Sequence, residues 1–196
     1  MHNGCILCGG VGSGKSITAL AYYKDAEPYI ITTSKKRDSG EWLSDAKKIG
    51  VKVRCVDSWN NIKKYINVKD SAFIFDEQRV SGKGRWAKEF IKIAKKNQWI
   101  LLSATPGDRW DDYATVFIAN GFVKNRSEWY KDFCIFQKYC DFPKIIGYQR
   151  EDILEKMKKK ILVNMDYRSE KERIYKTVPI KADTFEERFI LKNRRT

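Results

Sequence analysis

The sequence predicts an α/β fold: a mainly parallel central sheet flanked by helices, followed by a helical C-terminal extension. Two observations carry this. Short β-like runs alternate with amphipathic helical stretches through about residue 106, the pattern of a sheet covered on both faces. Among 196 residues, 42% are hydrophobic and 33% charged, with only 4 Pro and 12 Gly, which excludes collagen-like, low-complexity and wholly disordered chains.

In chain order, strands are expected at Cys5 to Cys8, Tyr29 to Thr32, Val51 to Val56, Ala72 to Phe75 and Trp99 to Leu102. Between them, helical periodicity covers Lys15 to Lys24, Glu41 to Ile49, Trp59 to Ile66 and Trp86 to Lys96. Gly50 closes the second helix, and Asp57-Ser58 reads as a cap before the third. Beyond Pro106 the alternation weakens into helices of mixed polarity at Trp110 to Ala119, Glu128 to Tyr139 and Glu151 to Lys160. A β-like run at Thr177 to Ile180 and a charged helix at Thr184 to Lys192 complete the reading. The organisation expected is one unit over 1–140 and a helical or mixed extension over 141–196, with no internal repeat and no linker-like segment.

The 39 Lys and Arg against 25 Asp and Glu leave a net charge of +14, which suits a polyanionic partner. The excess is spread along the chain: residues 144–196 hold 15 basic and 9 acidic side chains. A Lys-rich face also keeps a protein soluble, so charge alone does not decide. Five cysteines with no export signal read as thiols. Cys5 and Cys8 form a Cys-x-x-Cys inside an apolar strand with no second ligand pair at zinc spacing, and His2 is the lone histidine, which removes His-based triads. No apolar run nears the roughly 20 residues of a membrane span, and a cytoplasmic protein with no membrane partner is expected.

Gly9-Gly10-Val11-Gly12-Ser13-Gly14-Lys15-Ser16 fits G-x-x-x-x-G-K-[ST] between a predicted strand and a predicted helix. In such a phosphate loop the backbone amides around Gly10, Gly12, Ser13 and Gly14 curl about phosphates. Lys15 reaches the β and γ phosphates, and the Ser16 hydroxyl ligates Mg²⁺. Ser71 to Gln78 is an apolar strand ending in Asp76-Glu77-Gln78. Asp76, at the carboxyl edge of a sheet, suits Mg²⁺, and Glu77 suits orienting and deprotonating a water; many strands end in acidic turns, so the pairing with the glycine loop is what gives it weight. The following strand ends Ser103-Ala104-Thr105-Pro106.

The order GGVGSGKS, then DEQ, then SATP, each at a strand end, resembles motifs I, II and III of superfamily 2 helicases and translocases. The continuation Gly107 to Tyr113 is similar to phage-type members of their Swi/Snf-like branch. The resemblance covers roughly the first 140 residues. It implies a RecA-like ATP-binding lobe with ATP and Mg²⁺ as ligands, Lys15 and Glu77 in catalysis, and Gln78, Ser103 and Thr105 coupling nucleotide state to nucleic acid. Thr32 to Arg37 resembles motif Ia, which assigns Thr33, Ser34, Lys35, Lys36 and Arg37 to a nucleic-acid backbone, DNA before RNA. Asp57 to Asn60 stands where motif Ib would, and reads equally as a helix cap with a packed Trp. Gln78 to Arg85 reads as a basic loop beside the nucleotide or as a solvated one.

Three features depart from the family pattern. Arg79 follows Gln78 where familiar versions carry His or Asp, the residues before Gly9 hold no glutamine motif for reading adenine, and no Gln-x-x-Gly-Arg-x-x-Arg appears after residue 140. The expectation is therefore a helicase-like ATP hydrolase, weak as an isolated lobe, that works with a second RecA-like lobe in cis or trans. Two alternatives stand beside it: a P-loop nucleoside kinase, and a nucleotide-gated nucleic-acid binding subunit without efficient turnover.

Overall fold

The structure, a computed structural model, describes residues 3–76, 80, 84–137 and 144–165. Strand β1 (Gly4–Cys8) leads through the glycine loop into α1 (Lys15–Tyr22) and β2 (Tyr29–Thr32). Helices α2 (Ser34–Ser39) and α3 (Glu41–Lys48) precede β3 (Cys55–Ser58), a 3₁₀ helix (Trp59–Tyr65) and β4 (Ala72–Asp76). Then come α4 (Arg85–Ala94), β5 (Gln98–Ser103), α5 (Trp110–Ala119), α6 (Arg126–Phe133), the strands β6 (Cys134–Phe136) and β7 (Ile145–Tyr148), α7 (Glu151–Ile161) and β8 (Leu162–Asn164).

Six strands form one sheet in the order β3-β2-β4-β5-β1-β8, and every pairing in it is parallel. Parallel strands buried on both faces need apolar side chains at nearly every position, which β1, β2, β4 and β5 have. Alternate residues split between two cores. Leu7, Ile30, Ala72, Ile74, Ile100 and Leu102 pack against Ala19 and Leu20 of α1 and Trp42 and Ala46 of α3. Ile6, Ile31, Phe73, Phe75, Trp99 and Leu101 face the opposite side, under the 3₁₀ helix and α4 to α7. Phe73, Phe75, Phe90 and Trp99 are fully buried and touch edge-on or stacked. Each such side chain contributes about 1.5–3 kcal/mol by leaving water. Gly4 is required by this packing, since a Cβ there would collide with the Trp99 ring.

The chain leaves β1 for the far half of the sheet and returns to insert β5 between β4 and β1. The carboxyl ends of β4, β5 and β1 therefore lie side by side at one edge, the position where open α/β sheets bind ligands.

Several elements differ from the sequence expectation. The strand expected at Val51 to Val56 forms at Cys55–Ser58, so Asp57 and Ser58 belong to the ladder and lead directly into the helix that follows. The expected third helix is 3₁₀. The helix expected over Glu128 to Tyr139 stops at Phe133, and Cys134–Phe136 pairs antiparallel with Ile145–Tyr148. Besides β6 and β7, α2 and β8 are additional. Helix α2 starts where Thr33 Oγ1 accepts from Lys36 N at 3.3 Å, and β8 joins the central sheet beside β1, tying the chain beyond residue 140 to the first unit. The expected run Thr177 to Ile180 and the expected helix Thr184 to Lys192 lie outside the described residues. Among the described residues, no helix is long and apolar enough to cross a membrane.

Candidate functional site

The glycine loop turns at Gly12 (φ 77°) and Gly14 (φ 82°), left-handed conformations that cost an L side chain about 1–2 kcal/mol. Gly14 is the N-cap of α1, which has no side-chain cap and no acidic residue in its first turn. The amides that open α1 thus present positive potential without an internal carboxylate to consume it. Lys15 folds back on the loop, its Nζ donating to the carbonyls of Gly9 (2.6 Å) and Gly10 (2.7 Å). Ser13 Oγ is buried against Gly9 and finds no hydrogen-bond partner among the described residues. Val11 stands 96% exposed at the loop tip.

Asp76 ends β4 and is buried. Its Oδ2 accepts three hydrogen bonds: from Thr32 Oγ1 at 2.8 Å, Lys36 Nζ at 3.0 Å and Trp42 Nε1 at 3.3 Å. Trp59 Nε1 donates to the Asp76 carbonyl at 3.0 Å. One carboxylate therefore gathers the end of β2, α2 and α3. A buried ion is tolerated only when compensated in this way.

The end of β5 closes the third side. The Gly9 amide donates to the Ser103 carbonyl at 3.2 Å, and Ser103 Oγ accepts from the Thr105 amide at 3.2 Å. Beyond it, Gly107 (φ 137°) packs so tightly that a Cβ would meet Asp112 Cβ at 2.5 Å. Tyr113 OH donates to the Gly107 carbonyl at 3.4 Å. Burial, with lesser repulsion from Cys8 and nearby carboxylates, pushes the Tyr113 phenol up to about 12, so it stays a neutral donor. The glycine loop, the end of β4 and the segment after β5 line a cleft of about 800 Å³, its residues being Val11 to Ile17, Lys36, Asp45, Asp76 and Leu102 to Asp108 with Asp112.

Of the expected site residues, Gly12, Ser13, Gly14, Lys15, Ser16, Asp76, Ser103 and Thr105 line this one cleft; Gly10, though it accepts from Lys15, is not among its lining. Glu77 and Gln78 lie outside the described residues, as does Arg79. The expected backbone-binding cluster divides. Ser34 and Lys35 are exposed, Thr33 caps α2, and Lys36 turns into the cleft. Arg37 reaches Asp38 at 2.8 Å, Ser58 Oγ at 3.5 Å and Asp57 at 3.6 Å.

Asp57 is itself a structural knot. It accepts from Asn61 Nδ2 (2.7 Å), its neighbour's amide Ser58 N (2.7 Å) and Tyr65 OH (2.9 Å). Burial opposes its ionisation, but the bonds from Asn61, Ser58 and Tyr65 and the nearby Lys64 charge outweigh this and hold the carboxyl below its usual range. Trp59 is buried beneath Phe75. Of the cap-and-core reading of Asp57 to Asn60, the packed Trp59 holds, whereas no side chain caps the 3₁₀ helix and Asp57 instead bonds the Ser58 amide and the side chains of Asn61 and Tyr65.

The sequence reading missed Asp45, Asp108 and Asp112 as cleft residues, and Lys36 and Trp42 as partners of Asp76. A signal existed for Trp42. It is one of two buried residues on α3, and a buried indole N–H calls for an acceptor. Among the described residues, no group of three or more His, Cys, Asp or Glu could cage a metal ion. Ser16 and Asp76 instead offer two hard oxygen donors on one cleft, the partial set that suits Mg²⁺ completed by water and phosphate. The Lys36 ammonium on Asp76 shows that this position takes a cation. No protein-family model matches the chain, and no curated protein matches it.

Proposed function

We propose that the chain is the ATP-binding lobe of a helicase-like nucleic-acid translocase, coupling Mg-ATP binding and hydrolysis to its grip on a DNA backbone. The observation that carries the reading is the convergence of the glycine loop, Asp76 and Ser103 to Thr105 on a single cleft. The loop amides and Lys15 would bind the phosphates, Lys15 exchanging the carbonyls of Gly9 and Gly10 for phosphate oxygens. Ser16 and Asp76 would hold Mg²⁺, which when bound neutralises charge on the transferred phosphoryl group. Glu77 would take the proton of the attacking water. The Ser103 carbonyl on the Gly9 amide gives the β5 loop a direct bond to the phosphate loop, which suits Ser103 and Thr105, with Gln78, to a coupling role. Lys35, exposed on α2, and Arg37 beside it suit contacts to a phosphate backbone without base reading.

The test is ATP turnover measured with and without duplex DNA, single-stranded DNA, RNA and thymidine. Stimulation by nucleic acid supports the reading. Phosphorylation of thymidine would make the chain a nucleoside kinase, and nucleotide binding without stimulated turnover would make it a gated binding subunit. An arginine supplied from a second lobe is worth roughly 10³–10⁵ in rate, so turnover of the chain alone is expected to be slow.

A further inference from the structure

Asp76 is compensated by an ammonium carried on a helix that buries none of its own side chains fully. Helix α2 has no buried residue. Its ties to the rest of the protein include the Lys36–Asp76 ion pair at 3.0 Å and the reach of Arg37 to Ser58 and Asp57 at 3.5 and 3.6 Å. Elements held by a few polar bonds open at low cost compared with packed ones. The other two donors on Asp76 Oδ2, Thr32 Oγ1 and Trp42 Nε1, are neutral and sit on β2 and on the buried face of α3. They keep the carboxylate oriented whether or not Lys36 stays.

We propose that Lys36 is a positioning residue that serves as the resident counter-cation of Asp76 and is exchanged for the divalent ion that arrives with a nucleotide, so that loading the cleft releases α2. This rests on the nucleotide-binding reading of the cleft and adds its regulation. Two cations cannot share one carboxylate oxygen without strong mutual repulsion, and the divalent ion brings the larger charge. The half-exposed Lys36 side chain, 37% accessible, can swing to water when displaced. Because Lys35 and Arg37 flank Lys36, the same exchange changes how two basic side chains of α2 are presented beside the cleft.

The test uses Lys36→Met, which keeps the aliphatic stem and removes the charge, Lys36→Arg, which restores a cation, and Lys15→Ala. Affinity for manganese with ADP is read by electron paramagnetic resonance, and amide hydrogen exchange is followed over residues 34–40. Lys36→Met should bind manganese-ADP about three- to fivefold more tightly, the scale of a half-exposed ion pair. In the parental chain, exchange over α2 should accelerate on adding manganese-ADP. In Lys36→Met it should already be fast and stay unchanged, and Lys36→Arg should restore the parental response. Equal or weaker manganese-ADP binding by Lys36→Met, with parental binding that depends on Lys15, overturns the exchange and leaves the nucleotide site standing; weaker binding would make Lys36 a phosphate ligand. A parental chain that binds no manganese-ADP overturns both.

Discussion

Replacing Lys15 by Ala isolates the largest side-chain charge in the glycine loop. Its ammonium makes two bonds, 2.6 and 2.7 Å, to the carbonyls of Gly9 and Gly10. Moving that ammonium to about 4 Å from one unit of phosphate charge gains about 4 kcal/mol at an effective dielectric of 20. Giving up the two carbonyl bonds costs about 1 kcal/mol each. The net is about 2 kcal/mol, so Lys15→Ala should weaken ATP binding roughly 30-fold. Calorimetric titration with Mg-ATP reads this directly. The melting temperature without ligand should move little, because both lost bonds lie inside a surface loop, while the upward shift caused by ATP should shrink with affinity. Unchanged affinity in the variant would refute the reasoning, since the cleft would then bind nucleotide without the loop's cation.

Glu77→Gln should keep nucleotide bound while losing turnover, because Asp76 and the loop remain; hydrolysis at the parental rate would show that Glu77 is not the base. Lys35→Glu should weaken binding to every DNA sequence alike and flatten the dependence of affinity on salt by about one phosphate contact, measured by fluorescence anisotropy at several salt concentrations. Asp57→Asn should lower the melting temperature at pH 7 by roughly 2–4 °C, about 1 kcal/mol for a chain of this length. The carboxyl is held below its unfolded value, so its contribution is present above about pH 4 and lost as pH falls through the folded value; the gap between variant and parent should close in acid melts.

The sheet was legible because its strands are unbroken apolar runs ended by turn residues, as at Ala72 to Phe75 and Trp99 to Leu102. Helix α2 was not, because Ser34 to Ser39 has no apolar residue and therefore no periodicity. Strand β8 has three residues and follows α7 without a turn, so neither length nor punctuation marks it. Between Val51 and Ser58 the apolar residues drew the expected strand four residues early: Val51 is buried but lies outside the ladder, whose bonds fall on Cys55 to Ser58. In the site, the glycine loop and Asp76 were visible because their chemistry needs fixed spacing within one segment. Lys36 and Trp42 were not, since their contact with Asp76 crosses 40 and 34 residues and depends on the order of strands in the sheet. Lys36 also looked like one member of a basic cluster, and no local pattern distinguishes the lysine that turns inward from the one that stays in water.

The most direct test of the account is the reciprocal coupling between nucleotide and nucleic acid. DNA affinity is measured at fixed salt with and without a magnesium-bound non-hydrolysable ATP analogue, and analogue affinity with and without saturating DNA. If the cleft governs the grip on DNA, the two factors differ from one and equal each other, as linkage requires, and both collapse toward one in Lys15→Ala. A chain that binds the analogue through Lys15 yet holds DNA with the same affinity in either state would contradict the account.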